Sequence, residues 1–367
     1  MIKFHIERNI QYKDFLQIFL KKQNLMLSLK EIYPNKNITL TNYGRTAFEL
    51  ILGKYNLRDC KIMIPAFICP LFYYIFEKRN ITPVLIDVDM KTFNITPETL
   101  KEGFNKSAKC LITNNMNGLP CEIEKIKKIL TKDQILIEDC AHSLGAKHNG
   151  SYVGLTGDAS FFSLYKNLPS IKGGFAITNN PLLRLKKEKV TINLLLKLLY
   201  FIGKNANFYK NLKKEDYLYK EELVYNKVNP LGISKISERI AAFYIKRLGR
   251  IIDSRKRVAK EIILRLSNNN LIFQSNPNDE HVYTYFSFLL PNKIADKRIE
   301  FLKALRKQGI VGRIIWGKPL GNMYNQKCPN TKEISKRIVG IPIDPNYSEK
   351  EIESLCMGVL NALIEFQ

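Results

Sequence analysis

Short apolar segments alternate with stretches of helical apolar spacing through the first half of the chain. The apolar segments lie at residues 60–70, 82–89, 108–117, 134–146, 151–166 and 173–180. Strands that alternate with helices in this way predict βαβ units and a mostly parallel central sheet flanked by helices, an α/β fold. Ligands of such sheets bind at the carboxyl ends of the strands, so polar residues there are candidates for chemistry.

Helical spacing also predicts the longer elements. Residues 14–33 are expected to form one helix, residues 233–268 one long helix, and residues 349–366 the closing helix. Thr96 followed by Pro97 is a typical helix start. Further strands are predicted at residues 281–291 and 311–316.

A chain of 367 residues is long enough for two domains. We predict a large domain over residues 1–245 and a smaller α+β domain over residues 246–367. The large domain contains a basic, leucine-rich insert at about 184–228, which interrupts the alternating pattern. Its helical part, residues 190–204, is interpreted as a buried or dimer-interface helix, with peripheral membrane contact as the alternative.

The chain has an unusually high formal net charge of +24. This charge fits a nucleic-acid or lipid surface, a solvated surface of scattered lysines, or attraction of a polyanionic substrate such as a nucleotide sugar. The seven cysteines include no CxxC pair, which indicates reduced thiols and no zinc site. The charged start of the chain and the lack of an 18-residue apolar run predict a cytoplasmic protein.

Candidate chemistry falls at two predicted strand ends and one helix start. Asp139 and His142 follow one apolar strand, and Ser163 and Lys166 follow the next. A desolvated lysine is costly in a core but is a good nucleophile toward an aldehyde. We therefore interpret Lys166 as a Schiff-base lysine for pyridoxal phosphate (PLP), with Ser163 binding the cofactor's phosphate.

Where residues 45–47 open a helix, free N–H groups and the helix dipole can attract anions, so this helix start is a candidate phosphate-binding element. Taken alone, the helix start favours the alternative of an ordinary capped helix. This helix start contains Arg45, Thr46 and Ala47. Structural alternatives remain open for the strand-end residues: Asp139 as a helix cap and His142 as a core histidine. Three neighbouring residues are predicted to be exposed or in loops: Lys172, His148 and Asp158.

Several ordered motifs together resemble one known family. They are NYGRTAFELIL, IPAFICP, TPVLIDVDMKTFNI, IEDCAHSLGAKHNGSYVGLTGDASFFS and IVGIPIDPNYSEKEIESL. The sequence resembles the DegT/DnrJ/EryC1/StrS sugar aminotransferases, of the aspartate-aminotransferase (type I) PLP fold, from about residue 42 to the C-terminus. The resemblance implies a homodimer with shared active sites.

The resemblance also implies residue roles. Lys166 would carry the cofactor and then move a proton, Asp139 would pair with the pyridine nitrogen, and His142 would lie against the cofactor ring or its phenolic oxygen. The phosphate would contact Ser163 and residues 45–47. A looser match makes Asn229 a phosphate ligand supplied by the partner subunit.

The sequence departs from the family pattern at several positions. Arg45 stands where glycine is common, and Cys69 where an aromatic residue is usual. The family's His-x-(Tyr/Phe)-Gly reads Asn-Met-Asn-Gly at residues 115–118, and the serine-to-lysine spacing is short. The predicted substrate contacts are Asn115, Arg313 and Trp316.

The sequence thus predicts a PLP-dependent aminotransferase that moves an amino group, with glutamate as donor, to a nucleotide-linked keto-sugar for surface polysaccharide or glycan synthesis. One alternative keeps the cofactor but uses a small phosphorylated ketone or a lipid-linked sugar. Another is a non-enzymatic, basic nucleic-acid-binding or regulatory protein on the same fold, against which intact Lys166, Asp139 and Ser163 argue.

Overall fold

The computed structural model describes residues 12–21, 23–203, 230–275, 280–324 and 326–366. Its strands are β1 (Asn37–Thr41), β2 (Lys61–Pro65), β3 (Thr82–Ile86), β4 (Cys110–Asn114), β5 (Ile135–Asp139), β6 (Lys147–His148), β7 (Ser151–Tyr152), β8 (Ala159–Ser163), β9 (Gly174–Thr178), β10 (Ile272–Phe273), β11 (Phe286–Leu289) and β12 (Ile338–Ile341).

The helices of this part of the chain are α1 (Tyr12–Leu20), α2 (Leu25–Ile32), α3 (Gly44–Lys54), α4 (Leu71–Lys78), α5 (Pro97–Gly103), α6 (Ile123–Lys127), α7 (Leu164–Asn167), α8 (Ile192–Gly203), α9 (Lys235–Ile245), α10 (Leu248–Leu266), α11 (Arg298–Lys307), α12 (Pro329–Arg337) and α13 (Glu349–Ile364). Short 3₁₀ turns lie at Met116–Gly118, Asn292–Lys297 and Leu320–Met323.

Seven strands form the central sheet in the order β1-β9-β8-β5-β4-β2-β3. The pairs β8–β5, β5–β4, β4–β2 and β2–β3 are parallel, and only β9 runs against its two neighbours. The mostly parallel sheet predicted from the sequence is therefore confirmed. The carboxyl ends of β1, β4, β5 and β8 consequently lie along one edge of the sheet.

Both faces of this sheet are buried, which explains why its strands read as continuous apolar runs. Phe161 belongs to the apolar cluster with α3 and α4, whereas its neighbour Phe162 belongs to the cluster with α2 and α9. Phe162 stacks on Phe175 of β9 with ring centroids 4.4 Å apart. Side chains alternate between the two faces, and helices cover each face.

The C-terminal part of the chain has an antiparallel sheet and an apolar cluster of its own. Strands β10, β11 and β12 pair in that order, and the cluster draws its members from residues 258–363, all within the predicted second domain. The boundary at residues 245/246 stays a prediction. In the described part of the chain, no helix is long and apolar enough to span a bilayer, and all seven cysteines are free thiols.

Two of the predicted helices are each divided in two. The segment 14–33 breaks before α2, where the Asn24 side chain accepts a hydrogen bond from the Leu27 N–H and caps the new helix. The long helix breaks between α9 and α10, where the Arg247 guanidinium bonds Asp14 at 2.9 Å and lies over the Phe243 ring. In both cases a polar side chain forms a hydrogen bond at the helix end where the predicted helix is divided.

Three further predictions were wrong. Residues 311–316 are not a strand: only Arg313 bridges to Gly340, and Trp316 has a left-handed φ of 47°, which ends the extended path. His148 lies in β6, buried between Glu124 and Glu280, rather than in a loop. Lys172 is not freely exposed, because its ammonium pairs with Glu188 at 2.7 Å. Asp158 does lie in irregular backbone, as predicted.

The edge strand β3 is covered by a C-terminal segment. The Gln326 amide accepts from the Leu85 N–H and donates to the Pro83 carbonyl, so it occupies the open edge of the sheet. At the end of β3, Asp87 accepts from the N–H groups of Asn330 and Thr331 at 2.8 and 2.9 Å. Asp87 therefore caps α12 from outside and attaches the C-terminal part to the sheet.

Replacing Asp87 with alanine should lower the free energy of unfolding by about 2 kcal/mol, the upper range for the loss of a helix cap. Urea unfolding monitored by circular dichroism measures the change. The exposed Asp133→Ala is the matched control and should change stability by less than about 0.5 kcal/mol. Equal stabilities for the two variants would show that the cap does not hold α12.

Candidate active site

The site forms where α3 begins beside the ends of β5 and β8. Gly174, at the start of β9, lies so close to α3 that an added Cβ would stand 2.4 Å from the Gly44 nitrogen. This glycine therefore lets the N-terminus of α3 rest directly on the sheet edge. Asp139 ends β5, Ser163 ends β8, and α7 carries Lys166 one turn further on.

Asp139 is a buried acid that lacks a strong positive partner of its own. Its Oδ1 accepts the Ala141 N–H at 2.9 Å. Burial raises the pKa of Asp139 to about 6, and the Lys166 charge and the Ala141 N–H only partly offset this effect. A cationic ring nitrogen placed against this carboxylate would bring the pKa back down.

The preceding acid, Glu138, serves the backbone rather than the site. It points to the other face of β5 and accepts the N–H groups of Gly154, Thr156 and Gly157 at 2.8, 3.0 and 2.6 Å. Its carboxylate thus fixes the loop that leads into β8. The Glu-Asp pair of the sequence divides into one structural and one candidate catalytic acid because strand side chains alternate.

Lys166 and His142 are in contact, with 3.1 Å between Nζ and the ring Nε2. Burial lowers the pKa of Lys166, but Tyr165, Tyr285, Cys69 and Asp139 raise it, and the net shift is upward. Trp316 stacks on the His142 ring with centroids 5.4 Å apart, and Tyr285 approaches its edge at 4.9 Å. The imidazole is therefore held on several sides, beside the amine.

Asn167 is a residue that the sequence reasoning missed. Its fully buried amide donates to the carbonyls of Ala141 and Ser163 at 2.8 and 2.7 Å. The amide oxygen accepts from the Leu144 N–H and the Thr284 hydroxyl. Asn167 thereby joins the loop after Asp139 to the turn that carries Lys166, and its only sequence signal is its place beside that lysine.

The N-terminus of α3 is a candidate anion site next to these groups, and its Thr46 and Ala47 N–H groups donate to the Tyr43 carbonyl at 3.1 and 3.3 Å. No side chain caps this helix among the described residues. Within the same part of the chain, the buried Ser163 Oγ and the Arg45 Nε have no hydrogen-bond partner. The Thr46 hydroxyl donates to Asn42 Oδ1 at 2.7 Å, so its proton is already engaged.

The other predicted site residues differ in their burial and contacts. Asn115 is buried, and its amide donates to Ser143 Oγ and accepts from the Cys121 N–H. These bonds argue against a contact between Asn115 and the substrate, which stays a prediction. Trp316 and Arg313 are partly exposed, and Trp316 faces His142. Asn229 lies outside the described residues. No group of metal-ligating side chains is found in the described ranges.

A mostly parallel sheet with a lysine, an imidazole and a buried acid at one edge defines an α/β enzyme of the aminotransferase type. The chain belongs to the DegT/DnrJ/EryC1/StrS aminotransferase family, whose model matches residues 29–360. The resemblance and the fold class expected from the sequence are thus confirmed.

Individual proteins agree with this assignment. The chain is 27% identical over 328 residues to dTDP-3-amino-3,6-dideoxy-alpha-D-galactopyranose transaminase of Aneurinibacillus thermoaerophilus, covering 86% of this chain and 83% of the relative. It shares its fold with Helicobacter pylori PseC, an aminotransferase of pseudoaminic acid biosynthesis, with TM-score 0.74, 17% identity and full coverage of both chains. It also matches E. coli GDP-4-keto-6-deoxy-D-mannose-3-dehydratase with bound hydrated PLP, with TM-score 0.74, 20% identity and coverage of 98% and 100%.

The raised pKa of Asp139 predicts a pH-dependent cost in the cofactor-free protein. The folded protein favours the protonated form of Asp139. The stability that this protonation contributes is fully present below the ordinary pKa of 3.8 and is lost as pH rises through about 6. The loss is about 3 kcal/mol. Asp139→Asn cannot ionise, so its unfolding free energy relative to wild type should rise by about 2.5 kcal/mol between pH 4 and pH 7.5.

Chemical unfolding at the two pH values measures this change, with the exposed Asp133→Asn as control. A constant difference between Asp139→Asn and wild type at both pH values would contradict the assignment of the cost to Asp139.

Asn167→Asp should destabilise the protein by about 3 kcal/mol, because a carboxylate would face the carbonyl oxygens of Ala141 and Ser163 and leave them without donors. Thermal unfolding compared with the exposed Asn361→Asp provides the measurement. If both variants unfold at the wild-type temperature, the hydrogen bonds of the Asn167 amide to Ala141 and Ser163 do not stabilise the fold.

Proposed function

We propose that this protein is a PLP-dependent aminotransferase that transfers an amino group from glutamate to a nucleotide-linked keto-sugar for polysaccharide or glycan synthesis. The observation that carries the proposal is the meeting of Lys166, His142 and the buried Asp139 at the sheet edge beside a helix N-terminus. Membership of an aminotransferase family supports it.

The described residues fit this cofactor. Its phosphate matches the α3 N-terminus, where Ser163 Oγ and Arg45 Nε lack partners. Its pyridine nitrogen would pair with Asp139, because burial disfavours the ionised form of this acid when no positive partner is present. When bound, PLP supplies an aldehyde for an amine and an electron sink for the carbon that loses a proton.

The chain's own residues then have distinct tasks. Lys166 would hold the cofactor's aldehyde through Nζ, in a condensation that releases water, and, once displaced by the donor amine, would accept and return a proton at that nitrogen. Asp139 keeps a proton on the ring nitrogen, and His142 holds the position of the amine. Trp316 and Arg313, which lie in one partly exposed segment, are proposed to contact the substrate.

The positive charge of the chain supports a substrate that carries a diphosphate, since a net charge of +24 attracts polyanions. The sugar-nucleotide names of the relatives support the same class. We further propose a cytoplasmic homodimer in which Asn229 reaches the partner's cofactor.

The exposed apolar side chains of helix α8 support a contact surface in the basic insert. It exposes Ile192 and Leu196, which are 69% and 55% exposed, while Leu194 and Leu198 are buried. An apolar stripe of this kind supports either a subunit contact or peripheral contact with a membrane that holds a lipid-linked acceptor. Co-sedimentation with anionic vesicles distinguishes the two, since a subunit contact brings no protein down with lipid.

The first test is capture of PLP by Lys166. Adding PLP to wild type should give an absorbance band that borohydride reduction fixes as an adduct on Lys166, and Lys166→Ala should give none. Lys172→Ala, the neighbouring lysine, should still form it. An adduct that maps to Lys172 would overturn the site.

The second test concerns the substrate class. With glutamate as donor, a dTDP- or GDP-linked keto-sugar should yield an amino sugar and 2-oxoglutarate. If protein that binds PLP instead aminates a small phosphorylated ketone, the proposed keto-sugar substrate is wrong, whereas the proposed cofactor stands. Salt-sensitive binding of random DNA without PLP capture would favour the non-enzymatic alternative.

A further inference from the structure

The two ring nitrogens of His142 each face a nitrogen that can donate. The Asn117 backbone N–H points at Nδ1 from 3.3 Å, and Lys166 Nζ lies 3.1 Å from Nε2. A neutral imidazole has one N–H and one lone pair, so it can accept only one of these two bonds. The backbone N–H of Asn117 can only donate a hydrogen bond.

We propose that the backbone N–H of Asn117 fixes His142 as its Nε2–H tautomer, so that the ring presents a permanent hydrogen-bond donor to the nitrogen of Lys166. Asn117 is then a positioning residue that acts through His142. The tautomer rests on the Asn117 contact and on Lys166 accepting from Nε2 as an amine with a free lone pair; the proposed role of Lys166 enters only in the consequence.

The Asn117 N–H is held in this direction from several sides. The residue is fully buried and has a left-handed φ of 56°, a conformation that asparagine tolerates better than most residues. Its side-chain amide donates to Gln274 Oε1 at 3.0 Å and to Ser287 Oγ at 2.7 Å. Its carbonyl accepts the Tyr285 N–H at 3.3 Å. The C-terminal part of the chain thus fixes the peptide that sets the tautomer.

A donor that faces Lys166 favours an amine with a free lone pair over an ammonium. The other groups that face this amine are Asp139, Tyr165, Tyr285 and Cys69. Phenols and thiols ordinarily carry charge only in alkaline solution, so near neutral pH Asp139 alone favours the ammonium. Burial and the His142 N–H oppose Asp139 and favour the neutral amine that can attack a carbonyl, against the net upward shift of the Lys166 pKa.

The tautomer can be observed directly because the chain has only four histidines. Protein labelled with ¹⁵N in the imidazole ring, free of cofactor at pH 8, should show the Nε2–H coupling pattern for His142. Loss of one signal in His142→Gln assigns the resonance. An Nδ1–H pattern, or protons on both nitrogens, would overturn the proposal whatever the protein's reaction is.

Two Asn117 comparisons test the positioning role. Asn117→Gly keeps the left-handed backbone and the N–H but removes the bonds to Gln274 and Ser287, so a fraction of the Nδ1–H tautomer should appear. Asn35→Gly, at an exposed asparagine with φ 58°, should leave the spectrum of His142 as in wild type. An unchanged spectrum in Asn117→Gly would show that the side-chain bonds do not set the tautomer.

Variants of His142 test the consequence for Lys166. A glutamine amide offers an acceptor to Asn117 and a donor to the amine in the same order as the proposed tautomer, whereas methionine has similar length and no donor. Near neutral pH, His142→Met should capture PLP about tenfold more slowly than His142→Gln, as expected for one lost hydrogen bond. Equal rates would refute the donor role, and no capture by wild type would refute the role of Lys166 while leaving the tautomer result intact.

Discussion

The cost of burying one carboxylate governs the arrangement of this site. Asp139 ends β5 between covered faces of the sheet, where ionisation is unfavourable. The Ala141 N–H and the charge of Lys166, on the adjoining strand connection, relieve only part of that cost. Burial of this acid without a full charge partner supports the cofactor proposed above, whose ring nitrogen would complete the charge balance.

Parallel strand order converts distant positions into neighbours at that edge. Ser163 and Gly174 are register partners, and Gly174 in turn pairs with Thr41 at the approach to α3. The N-terminus of α3, Lys166 and the buried Asp139 therefore come from three different strand ends and their connections, those of β1, β8 and β5. The glycine contact between β9 and α3 and the Asn167 amide then hold these connections at fixed separations.

Buried asparagines perform much of the fine positioning. Asn167 and Asn117 each join elements far apart in sequence through several hydrogen bonds, and both lie beside a residue of the site. A buried amide that satisfies donors and acceptors at once is rigid, because breaking any one bond leaves an unpaired polar group. This rigidity suits a site in which the direction of a single N–H decides which nitrogen of His142 carries a proton.

The amino-acid sequence by itself determined the alternation of strands and helices, the mostly parallel sheet, the family and the cluster of Asp139, His142, Ser163 and Lys166. These properties follow from local periodicity and from motifs that lie at strand ends. Tertiary structure alone decided where the helices break, that Trp316 stacks on His142, that Asn115 turns inward, and that Asn117 and Asn167 serve the site. Most of these depend on a hydrogen bond or ring contact between residues far apart in the chain, and spacing along a sequence carries no information about such partners. The Asn24 cap before α2 is the local exception.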